Sequence, residues 1–158
     1  MTFLLAITMG FIAALAVFSA SIFALPTWVL FIAWTSYYLF ENSPKAVLQV
    51  LIQQVLGIFI AIIIQYSGQT LSLSLGTWGF PLAVFIVMSG VFYLTKMPRL
   101  NNIPAYFLGM IVWFGSQTQP SLDTIMILIG TLIAGFFFAW FNMTLGKQIQ
   151  QSFHKETL

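Results

Sequence analysis

Eight formal charges, five Lys/Arg and three Asp/Glu, are all that this chain of 158 residues carries, and they fall in four places. Glu41 and Lys45 form one group, Lys96 and Arg99 a second, Asp123 stands alone, and Lys147, Lys155 and Glu156 lie near the end. Residues 1–40, 46–95, 100–122 and 124–146 hold no charge. A soluble domain carries about a quarter of its residues charged. With 60% apolar residues and a mean hydropathy of +1.00, the solvent that fits this chain is a bilayer. A soluble globule, a secreted mini-protein and a disordered chain are excluded on the same ground.

A transmembrane helix takes about 20 residues, so six spans would use about 120 and leave about 38 for loops and a tail. Proline and glycine divide the uncharged runs accordingly. Pro26 cannot continue the ladder of the preceding turn, which predicts helices over 2–24 and 26–40. Ser67-Gly68-Gln69-Thr70 and Gly76-Thr77 form a polar linker between helices predicted over 45–65 and 78–96. The last two runs predict helices over 103–116 and 121–143. Ser43-Pro44 signals a helix start, a hydroxyl cap followed by proline at the first helical position, and Pro104 and Pro120 are expected to start the fifth and sixth helices similarly.

The second and fifth helices are short: at 1.5 Å per residue each rises about 21–22 Å, against about 30 Å of hydrocarbon. Charge decides whether they cross. With six spans, all five Lys/Arg lie on the side of both termini, as the positive-inside rule requires. Were both short helices re-entrant, Lys45, Lys96 and Arg99 would lie opposite Lys147 and Lys155. The expectation is therefore a multi-pass protein with cytoplasmic N- and C-termini, a six-helix transmembrane domain over 1–146 and a polar cytoplasmic tail over 147–158. Asp123 then lies outside at the start of a helix, where a carboxylate suits the positive dipole end. The first apolar stretch lacks a preceding Lys or Arg and exceeds a signal core in length, so it is expected to be a retained helix.

The order long, short, long occurs twice. A shift of 76 residues places Phe31 on Phe107, Ala33 on Gly109, Tyr38 on Phe114 and Pro44 on Pro120. Three passes is an odd number, so a second copy would enter the membrane in the opposite sense. The expected fold is thus all-α and integral to the membrane, with two inverted three-helix repeats, about 1–66 and 77–143, each with a short second helix. Inverted repeats with sites at short or broken helices recur in transporters and channels.

Several chemistries are absent. There is no cysteine, so no disulfide or thiolate site, and the one histidine, His154, sits in the tail. No phosphate-binding glycine loop, nucleophile elbow or metal-binding histidine pair occurs. A net charge of +2 is too small for a nucleic-acid surface. No Asp, Glu, Lys, Arg or His lies in the middle of a predicted span, which argues against a proton-coupled pump and against general acid–base catalysis. No catalytic residue, metal or cofactor is therefore expected.

Neutral groups remain. Gln49 and Gln53 share a helix face, with Gln54 adjacent. A buried amide needs partners; for Gln53, a wet path and a neighbouring helix would both supply them. Thr35 and Ser36 can bond back to their own helix, and Asn142 is expected at the interface. Phe31, Phe107 and Trp113 lie inside the short helices near Ala33 and Gly109, where rings beside small residues suit either packing or a constriction. Phe31, Gln53, Phe107, Gly109 and Trp113 are thus the pathway-lining candidates. Small-residue faces on the first helix (Gly10, Ala13, Ala14) and the sixth (Gly130, Ala134, Gly135) suit helix seams or a homo-oligomer.

Leu25-Pro26-Thr27-Trp28-Val29-Leu30-Phe31, leading to Tyr37-Tyr38-Leu39-Phe40 and Pro44-Lys45, resembles a family of small bacterial inner-membrane proteins catalogued as domain of unknown function 1097. So does Ile103-Pro104-Ala105-Tyr106-Phe107-Leu108-Gly109 followed by Phe114-Gly115, with Gly115 where relatives more often have alanine. The resemblance implies a multi-span protein of the bacterial inner membrane and carries no substrate or catalytic residue. The expected function is a channel or facilitator for a small neutral solute; the alternative is a non-transporting membrane subunit or assembly partner without a solvent pathway.

Overall fold

A computed structural model describes residues 1–40, 43–94 and 96–156, with side chains through residue 153. Glu41, His154, Lys155 and the charged end of Glu156 lie outside what is described. Among the described residues there are six α-helices, one 3₁₀ turn and no strand: α1 (Thr2–Ile22), α2 (Thr27–Leu39), α3 (Pro44–Leu75), the 3₁₀ turn Gly76–Trp78, α4 (Gly79–Leu94), α5 (Ile103–Ser116) and α6 (Leu122–Glu156). The chain forms two compact units, one of residues 1–42 and 127–158, the other of 43–126. The first holds α1, α2 and nearly all of α6; the second holds α3, α4 and α5.

Caps set the helix starts. The Ser43 hydroxyl accepts from the Ala46 N–H (3.3 Å), with Pro44 following. Ser121 accepts from Thr124 N–H (3.1 Å), so Ser121 caps α6 and Pro120 precedes the cap. Asn102 accepts from Ala105 N–H (3.4 Å) to open α5. Each cap satisfies one of the N–H groups that the first turn leaves without a helical partner.

Two helices outrun the sequence reading. α3 passes through Ser67-Gly68-Gln69-Thr70, the expected linker, to Leu75. Its hydroxyls explain this: Ser67 donates to the Ile63 carbonyl (2.6 Å) and Thr70 to that of Tyr66 (2.9 Å), so both are satisfied inside the helix. Gly68 admits the Phe80 ring, whose nearest atoms would crowd a Cβ. The reversal falls at Gly76, which has φ +56° and ψ −131°, a conformation open essentially to glycine alone. α4 then folds back along α3, with the Gly79 backbone against that of Ser72. α6 likewise continues 13 residues past the expected end at 143, so residues 147–156 of the expected polar tail are helical. At 1.5 Å per residue α3 and α6 are about 48 and 52 Å long, more than the hydrocarbon needs.

Replacing Gly76 with alanine is expected to loosen the α3–α4 hairpin by about 1–3 kcal/mol, the cost of forcing a side chain into that conformation. A lowered unfolding midpoint for Gly76→Ala in detergent, with Gly90→Ala unchanged or raised, checks this; a Cβ at Gly90 meets nothing within 4 Å.

Buried positions repeat along the chain. α2 buries Val29, Leu30, Ala33, Trp34, Ser36 and Tyr37; α5 buries Ala105, Tyr106, Gly109, Met110, Val112 and Trp113. Adding 76 to each member of the first set gives the second. α3 buries Val50, Gln53, Gln54, Gly57, Ile58, Ile60, Ala61, Ile64 and Gly68. Adding 78 to the first eight gives Leu128, Thr131, Leu132, Gly135, Phe136, Phe138, Ala139 and Asn142, the buried residues of α6. The ninth, Gly68, falls on half-buried Gly146. The capping serines, 43 and 121, obey the same 78. The step from 76 to 78 comes from two extra residues in the turn before α6, where Gln117 is left-handed (φ +51°). Pro44 therefore corresponds to Leu122, not to Pro120 as a uniform shift would have it.

Candidate functional site

Within the second unit, α5 lies on α3 at a crossing of two glycines. A Cβ on Gly57 would meet the Tyr106 carbonyl and lie 3.0 Å from the Gly109 Cα; one on Gly109 would run into the Gln54 backbone. Small residues permit this approach, and backbone on both sides leaves no flexible group to yield. Within the first unit, a Cβ on Gly135 of α6 would meet the Leu30 carbonyl and the Ala33 Cβ of α2. Leu30 and Ala33 are the positions that correspond to Tyr106 and Gly109.

Amides tie each short helix to its long partner. The Trp113 indole N–H donates to the Gln65 side-chain carbonyl (2.6 Å), joining α5 to α3. The Tyr38 hydroxyl donates to the Asn142 side-chain carbonyl (2.7 Å), joining α2 to α6. In hydrocarbon an amide without a partner is costly, and the aromatic N–H and O–H supply one at each place. Bonds of this kind average only about 0.6 kcal/mol in membranes, with a maximum near 1.7. Trp113→Phe is accordingly expected to lower the unfolding midpoint by only a few degrees (about 1–2 kcal/mol at most). Equal midpoints for Trp113→Phe and the wild type would mean the bond contributes nothing.

Gln53 serves α5 in another way. It is 2% exposed; its amide N–H donates to the Arg99 carbonyl (3.1 Å), and its carbonyl accepts from the Asn102 N–H (2.9 Å). Both ends of one amide thus grip the segment that leads into α5. Tyr106 adds a bond from its hydroxyl to the Leu100 carbonyl (3.2 Å).

Phe31 and Phe107 are placed differently from the other three candidates. They are 41% and 46% exposed and line two open apolar grooves. The groove in the first unit, about 300 Å³, takes Phe31, Trp34, Thr35, Tyr38 and Leu39 from α2 and Met9 and Ala13 from α1. The groove in the second unit, about 370 Å³, takes Phe107, Met110, Ile111, Phe114 and Gly115 from α5, with Val84 and Met88 of α4 and Ile64 of α3. The five residues from α2 become the five from α5 on adding 76. Gln53, Gly109 and Trp113 are buried instead, with their contacts between α3 and either α5 or the segment that leads into it.

The sequence reading passed over Gln65 because it abuts the stretch taken for a linker, and it placed Asn142 at a helix end. An amide inside an uncharged run, with an aromatic N–H on the neighbouring short helix, was the available signal. Among the described residues no group of three or more His, Cys, Asp or Glu side chains is placed to hold a metal ion.

Three helical stretches, Thr2–Ile22, Pro44–Leu94 and Leu122–Phe153, are long and apolar enough to cross a membrane, and Ile103–Ser116 is a shorter apolar helix. The molecule is an all-helical membrane protein. Residues 6–147 match the model of the family described as Protein of unknown function (DUF1097), and the chain belongs to that family. No curated protein and no solved structure matches it.

Proposed function

We propose that this protein is a six-span channel or facilitator for a small neutral solute in the bacterial inner membrane, built from two copies of a three-helix unit that enter the membrane in opposite senses. The observation that carries this reading is the coincidence of buried positions between α2 and α5 and between α3 and α6. Residues 44–94 support two passes rather than one, because α4 folds back along α3 at Gly76. With six passes, the distribution of Lys and Arg puts both termini in the cytoplasm. Duplicated units of opposite sense, with short helices between long ones, are an architecture of transporters and channels.

On this reading Phe31 and Phe107 line the solute's way, since they occupy equivalent and exposed positions in the two grooves. Gln53, Gly109 and Trp113 then hold α5 and the segment leading into it against α3. Those three engagements equally favour the second reading, a membrane subunit without a solvent pathway, possessing the same packed helices and no flux. The small-residue faces of α1 and α6 suit self-association in either case.

Stopped-flow shrinkage of proteoliposomes challenged with urea or small alcohols is expected to exceed that of protein-free vesicles. Flux equal to the empty vesicles for every solute would remove the facilitator reading. The chain lacks cysteine, so Phe31→Cys and Phe107→Cys can be probed directly. Labelling of both by a membrane-impermeant thiol reagent supports a water path, and protection of both supports the subunit.

A further inference from the structure

Beside the N-terminal turns of α3 lies a cleft of about 700 Å³, separate from both grooves. Lys45, Leu48 and Ile52 line it from α3, and Met97, Arg99 and Leu100 from the segment entering α5. Lys45 and Arg99 are exposed, and no lining residue is acidic. The spacing 45, 48, 52 puts a cation and two aliphatic side chains on one helix face. Leu48, Ile52 and Met97 are 57%, 44% and 55% exposed, so an apolar wall continues from the two charges. Arg99 is not carried on a loose loop: Gln53 grips its carbonyl and the N–H of Asn102. The backbone that carries the second cation is therefore fixed before any ligand arrives, which lowers the cost of binding.

A soluble anion gains nothing from Leu48 and Ile52, and a neutral solute gains nothing from Lys45 and Arg99. We propose that this cleft binds an anionic phospholipid, its phosphate between Lys45 and Arg99 and an acyl chain along Leu48 and Ile52. Basic clefts at the membrane surface suit such headgroups, and each Lys or Arg near an anionic surface contributes a favourable increment. The chain carries its own contrast. In the register that relates α3 to α6, Lys45 falls on Asp123, so the equivalent turn of α6 has the opposite charge and repels the same headgroup. The inference requires insertion in a membrane and no solute passage, so it is separable from the facilitator reading.

The test uses the full chain in detergent, offered phosphatidylglycerol or phosphatidylcholine and read by native mass spectrometry and by the unfolding midpoint. The expected preference for phosphatidylglycerol is about 25-fold, from two basic groups at about fivefold each. Lys45→Gln/Arg99→Gln is expected to bring the ratio near one, while Lys147→Gln, outside the cleft, keeps it. Should the double variant fail to fold, each single variant is expected to lose about fivefold. Retention of the full preference in the double variant, or in both single variants, overturns the proposal. So does an equal rise of the midpoint with inorganic phosphate, which would make the site one for soluble anions.

Discussion

Gly109→Ala is expected to be among the most damaging single substitutions in the chain, lowering stability by about 3 kcal/mol, the upper end of the usual cost of overpacking. The new methyl would occupy the place of the Gln54 carbonyl, and that carbonyl belongs to a helix backbone that cannot rotate away. Gly135→Ala tests the corresponding crossing in the other unit, where the obstacle is the Leu30 carbonyl, and a loss of similar size is expected there. Gly10→Ala and Gly130→Ala are the controls: a Cβ at either meets nothing within 4 Å, and alanine for glycine in an open helix interior is favourable by about 0.5–1 kcal/mol. Unfolding midpoints in one detergent would show two variants falling by about 6–12 °C and two holding or rising. If Gly109→Ala and Gly135→Ala unfold at the wild-type temperature, the close crossings are not what holds the short helices.

The second large effect is expected at Gln53. Replacement by leucine keeps the volume and removes both bonds, leaving the Arg99 carbonyl and the Asn102 N–H to find other partners. A hydrogen bond contributes about 0.5–1.5 kcal/mol net, so about 1–3 kcal/mol is expected for this part-buried pair. The loss should be local before it is global, because the clamp acts on one segment. Trypsin cleaves after Lys and Arg, and Lys96 and Arg99 lie in that segment; Gln53→Leu should be cut there well before the wild type. Gln53→Glu retains an acceptor for Asn102 and loses the donor to Arg99, and should fall between the two. Identical cleavage rates in all three proteins would sink the clamp.

The short helices were the most legible part of the sequence. α5 begins and ends where Pro104 and the polar turn after Ser116 predict, and α2 differs by one residue at each end. Helix termini are marked by local chemistry, and both helices are bounded by it. The long helices were misjudged for one reason in two guises. Ser67, Gly68 and Thr70 read as a linker because hydroxyls and glycine favour turns, yet each hydroxyl found a carbonyl one turn back. α6 was expected to end at 143, just short of Lys147, because a charge marks the end of hydrocarbon; it does not mark the end of a helix, and α6 runs on to Glu156. The pattern of matched positions was legible over the short helices, where Phe31, Ala33 and Tyr38 fall on Phe107, Gly109 and Phe114. Its register over the long helices was not, because two inserted residues near Gln117 shift it and the proline at 120 supplied a false match.

At the candidate site, residue types were informative and partners were not. Gln53 was identifiable as an amide in need of bonds, but its partners are backbone groups 46 and 49 residues away, invisible to any local pattern. Gly109 was identifiable as small, and what it approaches, the Gln54 carbonyl, is set by the pitch of two helices rather than by either sequence. Phe31 and Phe107 share a type with many rings in the chain; only their equivalent exposure in matched grooves sets them apart.

The composition of the two units has a consequence for biogenesis. Residues 43–126 are contiguous, so α3, α4 and α5 can assemble as they leave the ribosome. The other unit joins residues 1–42 to residues 127–158, and α2 receives Gly135 and Asn142 only when the last helix is made. At about 5–20 residues per second, synthesis of the intervening 84 residues leaves the first hairpin waiting roughly 4–17 s. During that interval the buried face of α2, Leu30 and Ala33 included, and the Tyr38 hydroxyl have only lipid, the insertion machinery or a chaperone for company. A nascent chain stalled before residue 127 should therefore present a finished second unit and an orphaned first one, and quality control of this protein would be exercised on its earliest segment rather than its latest.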